Sequence, residues 1–128
     1  MKFTQTQKAP SAIGPYSQAT VLNGMVYTSG QIALLADGSD ELLSQDVTIQ
    51  TQQVLKNLQA VLEESGSSLQ DVIKTTIFLS DMSDFVTVNE IYEKAFGSHK
   101  PARSTVAVKT LPKNALVEID AIAQVSKV

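Results

Sequence analysis

Val72-Ile73-Lys74-Thr75-Thr76-Ile77-Phe78-Leu79 is the stretch on which the fold turns. It is rich in β-branched residues and bounded by the polar Asp71 and Ser80, so it reads as a strand. The segments on either side of it are helical. From Ser44 to Ser65 the apolar residues Val47, Val54, Leu55, Leu58, Val61 and Leu62 recur at steps of three and four. Ser44 is the expected cap of this helix, Asp46 suits the positive end of its dipole, and Gly66 supplies a left-handed stop. After the strand, Phe85, Val88, Tyr92 and Phe96 form the stripe of a second helix, with Ser83 as expected cap and Gly97 at its end. A strand with a helix before and after it calls for a mixed sheet with both helices on one face, the α+β class.

Working outward, a polar start punctuated by Pro10 and Pro15 precedes the first element. Gln18–Leu22 and Met25–Ser29 flank Asn23-Gly24, a pair that tolerates the positive φ of a type I′ turn and so marks a hairpin. Beyond the second helix, the loop Ser98–Ala102 leads to a strand near Ser104–Val108. A turn at Leu111–Asn114 and a long strand at Leu116–Val125 follow. The predicted order is hairpin, helix, strand, helix, hairpin. No repeat or linker interrupts it, so residues 1–128 are expected to form a single domain.

Strand periodicity carries a further consequence. In the last strand Val117, Ile119, Ala121, Ala123 and Val125 point one way, and Glu118, Asp120, Ile122 and Gln124 the other. In Val72–Leu79 the expectation is Ile73, Ile77 and Leu79 on one face and Val72, Thr76 and Phe78 on the opposite one. Two helices cover only one face of a sheet. The second is too apolar to stay wet yet carries carboxylates, so another subunit is expected to cover it and leave polar clefts between chains.

Composition narrows the chemistry. At 128 residues with 43% apolar and 18% charged side chains, the chain is an ordinary globular one. Having no cysteine and a single histidine, His99, it lacks thiolate nucleophiles and every metal site that needs Cys or two imidazoles. Ten basic against thirteen acidic residues, with no basic block, make a poor ligand for nucleic acid. Met1–Tyr16 holds no apolar signal stretch, and the longest apolar run, Ile32–Ala36, is far too short for a membrane span. A soluble, cytoplasmic protein is the expectation. The glycines form neither a dinucleotide fingerprint nor a P-loop, and no nucleophile elbow is present.

Three places remain for chemistry. Glu118 and Asp120, two apart on one strand face, are either a solvated sheet edge or working carboxylates. Arg103 follows Pro101-Ala102 at the mouth of a strand, where a fixed guanidinium could grip a carboxylate through two parallel hydrogen bonds; a plain surface arginine is the alternative. His99, beside Lys100 and Pro101, reads as a surface residue.

Several motifs in order then resemble one family. Gly14-Pro15-Tyr16-Ser17-Gln18-Ala19, Ser29-Gly30-Gln31, Lys74-Thr75-Thr76-Ile77-Phe78 and Val88-Asn89-Glu90-Ile91-Tyr92 belong to the pattern. So do Pro101-Ala102-Arg103-Ser104, Leu111-Pro112-Lys113 and Val117-Glu118-Ile119-Asp120-Ala121-Ile122-Ala123. Together they resemble the Rid (reactive intermediate deaminase, YjgF) family, in its RidA branch, essentially from end to end. The resemblance implies a chorismate-mutase-like α+β fold, assembled as a homotrimer around a barrel-like core with ligand sites between subunits. It implies hydrolysis of 2-imino acids, such as 2-iminobutanoate and 2-iminopropanoate and their enamine tautomers, to 2-keto acids and ammonia. No metal and no cofactor would take part, and pyridoxal-phosphate enzymes would be spared damage. A non-catalytic, keto-acid-binding regulator is the alternative.

By the same match Arg103 would anchor the substrate carboxylate and Glu118 would position water and shuttle protons. Tyr16 would bring its hydroxyl to the cleft, Gly30 and Thr105 would offer backbone groups, and Ser29 and Asn89 are further binding candidates. The sequence departs from the family at Thr105, often cysteine, at the short loop Gly97–Lys100, and at Lys100, where an aromatic residue is common.

Overall fold

The computed structural model describes residues 1–126. In chain order it contains β1 (Lys2–Thr4), β2 (Ala19–Leu22), β3 (Met25–Thr28), α1 (Val47–Glu64), β4 (Val72–Leu79), α2 (Phe85–Phe96), β5 (Ala102–Ala107) and β6 (Val117–Gln124). The strands make one sheet in the order β1-β2-β3-β6-β4-β5.

Connectivity explains why both helices lie on one face. Strand β6 is antiparallel to both β3 and β4, so β3 and β4 run parallel, and α1 carries the chain between them over β6. Strands β4 and β5 pair in parallel through α2. Both crossovers advance the same way across the sheet, and the right-handed rule then lifts both helices to the same side. There α1 packs against β6 and against α2. The α+β reading with two helices on one face therefore holds, but the closing hairpin does not. Strands β5 and β6 lie on opposite sides of β4, because the β4-α2-β5 unit takes one edge of β4 and β6 takes the other.

Local chemistry corrects several other expectations. Helix α1 is capped by Asp46, whose carboxylate accepts the Ile49 N–H; Ser44 instead ends a short 3-10 turn, Glu41–Ser44. Asp81, not Ser83, caps the 3-10 turn Met82–Asp84 that leads into α2. Gly66 and Gly97 do take positive φ after the helices, and Asn23 and Gly24 take φ of 52° and 76° in the hairpin turn. The polar start contains β1, an edge strand paired with β2. A bulge in β4 at Ile73 reverses the parity expected there: Val72 is buried and Ile73 exposed, while Thr75, Ile77 and Leu79 face the core.

Beneath the helices, Val26, Ile77, Leu79, Val117, Ile119, Ala121 and Ala123 of the sheet meet Val54, Leu58, Val61 and Leu62 of α1 and Val88, Tyr92 and Phe96 of α2. Strand β6 alternates between buried and half-buried residues, as its sequence requires. The far face is open. Phe3, Leu22, Tyr27 and Val106, one from each of four strands, are between 42% and 69% exposed upon it. Among the described residues no helix is long and apolar enough to cross a membrane.

Three buried amides fix the loops. Gln18 accepts the Thr6 N–H and donates to the carbonyls of Thr6 and Pro10, tying the N-terminal segment to β2. Gln50 donates to Leu43 and Gln45 and accepts the Leu116 N–H. Asn57, wholly buried on α1, donates to the carbonyls of Ile32 and Leu34 at 3.2 and 2.8 Å. Asn57→Ala would strand the Leu34 carbonyl in a dry interior and leave that of Ile32 with the Leu34 N–H alone, at a cost of about 1–3 kcal/mol. Urea unfolding should show that loss, with the exposed Lys56→Ala on the same helix staying within about 0.5 kcal/mol of the parent.

Candidate functional site

The first cluster forms where β3 leaves β6. Tyr27 pairs with Ile122, but Gln31 pairs with Ile119, so the register slips by one residue across Thr28–Gly30. The freed Ala121 N–H is satisfied by the Thr28 hydroxyl at 3.0 Å. In this bulge Gly30 lies directly under the Glu118 side chain. A Cβ on Gly30 would come 2.0 Å from a Glu118 carboxylate oxygen, so no other residue fits while Glu118 holds its place.

Glu118 opens into a cavity of about 510 Å³ with Tyr16, Ser29, Gly30, Pro112 and Lys113 on its wall and the apolar Ile13 and Ile32 beyond. Burial, aided by the neighbouring Asp120 charge, raises the Glu118 pKa above the ordinary carboxylate value. Burial also raises that of Asp120, against hydrogen bonds from Thr76 and the charge of Lys74. The reading of this pair as a solvated sheet edge therefore fails: both carboxyls are half-buried and favour their protons more than free carboxylates do.

Ser29 reaches the cavity wall, but its hydroxyl donates to the Ser17 carbonyl at 2.6 Å and its N–H to Gln18. It thereby fastens the segment that carries Tyr16. The Tyr16 hydroxyl accepts a long hydrogen bond, 3.4 Å, from the Ile13 N–H, and its ring is exposed.

The second cluster gathers on the other face of the sheet. Arg103 is the register partner of the buried Thr75, so its side chain rises toward α2. There it donates to the Asn89 carboxamide oxygen at 2.7 Å and lies over the rings of Tyr92, 5.0 Å away, and Phe85, 5.7 Å away. These partners are all neutral. A guanidinium held by them keeps its charge for a ligand, and it borders a cavity of about 340 Å³ shared with His99 and Lys100.

Thr105, two residues on and on the same side of β5, has a buried hydroxyl with no hydrogen-bond partner among the described residues. His99 is not the free surface residue expected. It is half-buried, and its Nε2 lies 2.7 Å from the Val72 carbonyl, at the bulge of β4.

Within one chain the expected site residues thus fall into two groups. Tyr16, Ser29, Gly30 and Glu118 share one cavity, while Arg103 and Asn89 border another across the sheet, with Thr105 on their side of β5. Three contributors escaped the sequence reading. Lys113 holds φ of 54° on the wall of the Glu118 cavity, a left-handed conformation that no pattern announces. Tyr92 and Phe85 look like core residues by spacing, yet they also grip Arg103.

A family model described as endoribonuclease L-PSP matches residues 6–125. A Salmonella typhimurium protein named 2-iminobutanoate/2-iminopropanoate deaminase is 46% identical over 125 residues, 95% of this chain and 96% of the relative. Among solved structures, YyfA from Yersinia pestis, described as a protein of the conserved Rid family, is 50% identical with a TM-score of 0.93, covering 97% of this chain and 98% of its own. E. coli TdcF with bound serine is 43% identical with a TM-score of 0.91, covering 98% and 100%.

Asp120→Asn removes a charge that disfavours ionisation of Glu118, so the Glu118 carboxyl should titrate at lower pH in the variant, as followed by carbon-13 NMR. Linkage has a matching sign. A carboxyl whose folded pKa is raised holds more protons folded than unfolded, so its contribution is complete at acid pH and is lost as pH climbs from the ordinary carboxylate value through the raised one. Glu118→Gln should therefore flatten the fall in unfolding free energy over that window.

Proposed function

Because this chain belongs to the endoribonuclease L-PSP family, the family of the Rid (YjgF) proteins, we propose that it hydrolyses reactive 2-imino acids to 2-keto acids and ammonia. The substrates would be imines of the 2-iminobutanoate and 2-iminopropanoate type with their enamine tautomers. Removing them would protect pyridoxal-phosphate enzymes. The observation that carries this reading is the Arg103 guanidinium, fixed by neutral partners beside a small cavity. A fixed cation with unspent donors suits a small carboxylate, and the serine bound by TdcF is a small ligand that carries a carboxylate.

A complete site needs Arg103 and Glu118 on the same substrate, and one chain keeps them on opposite sides of its sheet. We propose that the open apolar face is covered by further copies in a homotrimer, with the exposed faces turned toward a barrel-like centre. Arg103, Asn89 and Thr105 of one copy would then meet Tyr16, Ser29, Gly30 and Glu118 of the next. The uncovered Phe3, Leu22, Tyr27 and Val106 support the assembly, since monomers seldom leave such a face wet.

The chemistry follows from the groups. Two guanidinium N–H donors hold the carboxylate and present C2 of the imine. Glu118 takes a proton from water as its oxygen bonds to C2 of the protonated imine, giving a carbinolamine; it returns that proton to nitrogen, and as the C–N bond breaks the carbinolamine hydroxyl gives its own proton back to Glu118, so that ammonia leaves with the 2-keto acid behind. A carboxyl with a raised pKa suits both halves of that shuttle near neutral pH. Ser29, its proton committed to Ser17, would act as an acceptor, and the unpartnered Thr105 hydroxyl would donate beside Arg103.

Coupling to a threonine dehydratase in amine-free buffer allows imine decay to be followed. Arg103→Ala should lower kcat/KM by about 100-fold or more, and Glu118→Gln should lower kcat by roughly 10²–10⁴. Equal rates in wild type and Arg103→Ala would overturn the reading; tight 2-ketobutyrate binding without turnover would replace it with a keto-acid-binding regulator. Sedimentation equilibrium should give the mass of three chains at micromolar concentration, and a stable monomer would remove the shared site.

A further inference from the structure

Among the described residues the Arg103 guanidinium has no carboxylate to hold it, yet it must keep one orientation to be of use. Its support comes from one face of α2. Phe85, Asn89 and Tyr92 are spaced by four and three residues and so share a stripe. Among the described residues Asn89 provides the only hydrogen bond to a side chain, and the two rings provide faces. The rings differ in how firmly they are held. Tyr92 is buried and stacks on Phe96 with centroids 4.4 Å apart, and its hydroxyl is 2.7 Å from that of Thr75.

Thr75 is itself the register partner of Arg103 on the neighbouring strand and is 1% exposed. One rung of the sheet therefore carries both the cation and the anchor for the ring above it. The ring hangs from that anchor at its hydroxyl and is backed by Phe96, so its face has one place to lie. Ring flipping leaves the face unchanged, whereas tilting would break the Thr75 bond. Burial raises the pKa of the Tyr92 hydroxyl, opposed by the Thr75 hydrogen bond and, less, by the nearby Arg103 charge.

We propose that Tyr92 is the positioning residue of the imine-hydrolysing site, setting the direction of the Arg103 guanidinium through a cation–π contact, with Thr75 holding the ring in register. This rests on the reading of Arg103 as the carboxylate anchor. Tyr92 lines the same cavity, and its part there is to restrict the cation that grips the substrate. The ring quadrupole is the active property, and ring shape alone would not serve.

That distinction is testable at constant shape. In the full-length protein, Tyr92 is replaced by phenylalanine and then by tri- and pentafluorophenylalanine, which progressively cancel the negative face of the ring with little change in volume. Calorimetric Kd for 2-ketobutyrate, KM for imine and the thermal midpoint are measured on each. Kd and KM should climb together across the fluorine series by roughly 3- to 30-fold in total, with the thermal midpoint steady from phenylalanine onward. A flat Kd across the series overturns the proposal.

A measurement on the unmodified protein covers the case in which the variants do not fold. The Arg103 δ and ε protons should resonate upfield from ring current and move back downfield in Thr75→Val; ordinary shifts in wild type overturn the proposal as well. Failure of the underlying reading looks different. In that case wild type itself neither binds 2-ketobutyrate nor turns over imine, whatever the ring-current shifts show.

Discussion

Strand β6 ties the core and the chemistry to a single register. It pairs with β3 on one side and β4 on the other, so its alternation is locked from both edges. Val117, Ile119, Ala121 and Ala123 close the core beneath the helices, while Glu118 and Asp120 face away from it. A slip of one residue would bury two carboxylates and expose the core. The same locking that makes the fold cohesive also aims Glu118, and the bulge at Thr28–Gly30 then clears the space above a glycine for its carboxyl.

The two charged centres are prepared in opposite ways. Arg103 is held by neutral groups, an amide oxygen and two ring faces, which satisfy its geometry without cancelling its charge. Glu118 is half-buried next to another carboxyl, which makes its charge costly and its proton easy to keep. Paired with each other inside one chain, they would neutralise both properties. The sheet prevents this by holding them on opposite faces.

Elements with strong local signals were legible in advance. Asn23-Gly24 announced its hairpin, the three-and-four spacing announced both helices, and the β-branched run announced β4. Long-range choices were not. Nothing in Ser104–Val108 says that it will lie parallel to β4 and not pair with β6, because strand partners are selected by the crossover handedness and by which edges remain free. The bulge at Ile73 and the caps at Asp46 and Asp81 were also out of reach: serine and aspartate both cap well, and only the path of the chain decides which reaches the open N–H.

The site shows the same division. Motifs alone singled out Arg103, Glu118, Tyr16, Gly30 and Asn89, and composition alone made polyanion binding improbable. What the amino-acid order determined by itself was the period of each segment and the chemical types available, since both depend on neighbours a few bonds away. Tertiary structure decided that Asn89 and Tyr92 would hold Arg103, that Gly30 would pass under Glu118, and that those two groups would stand on opposite faces. Such relations join residues far apart along the chain, and they exist only once the sheet has chosen its strand order.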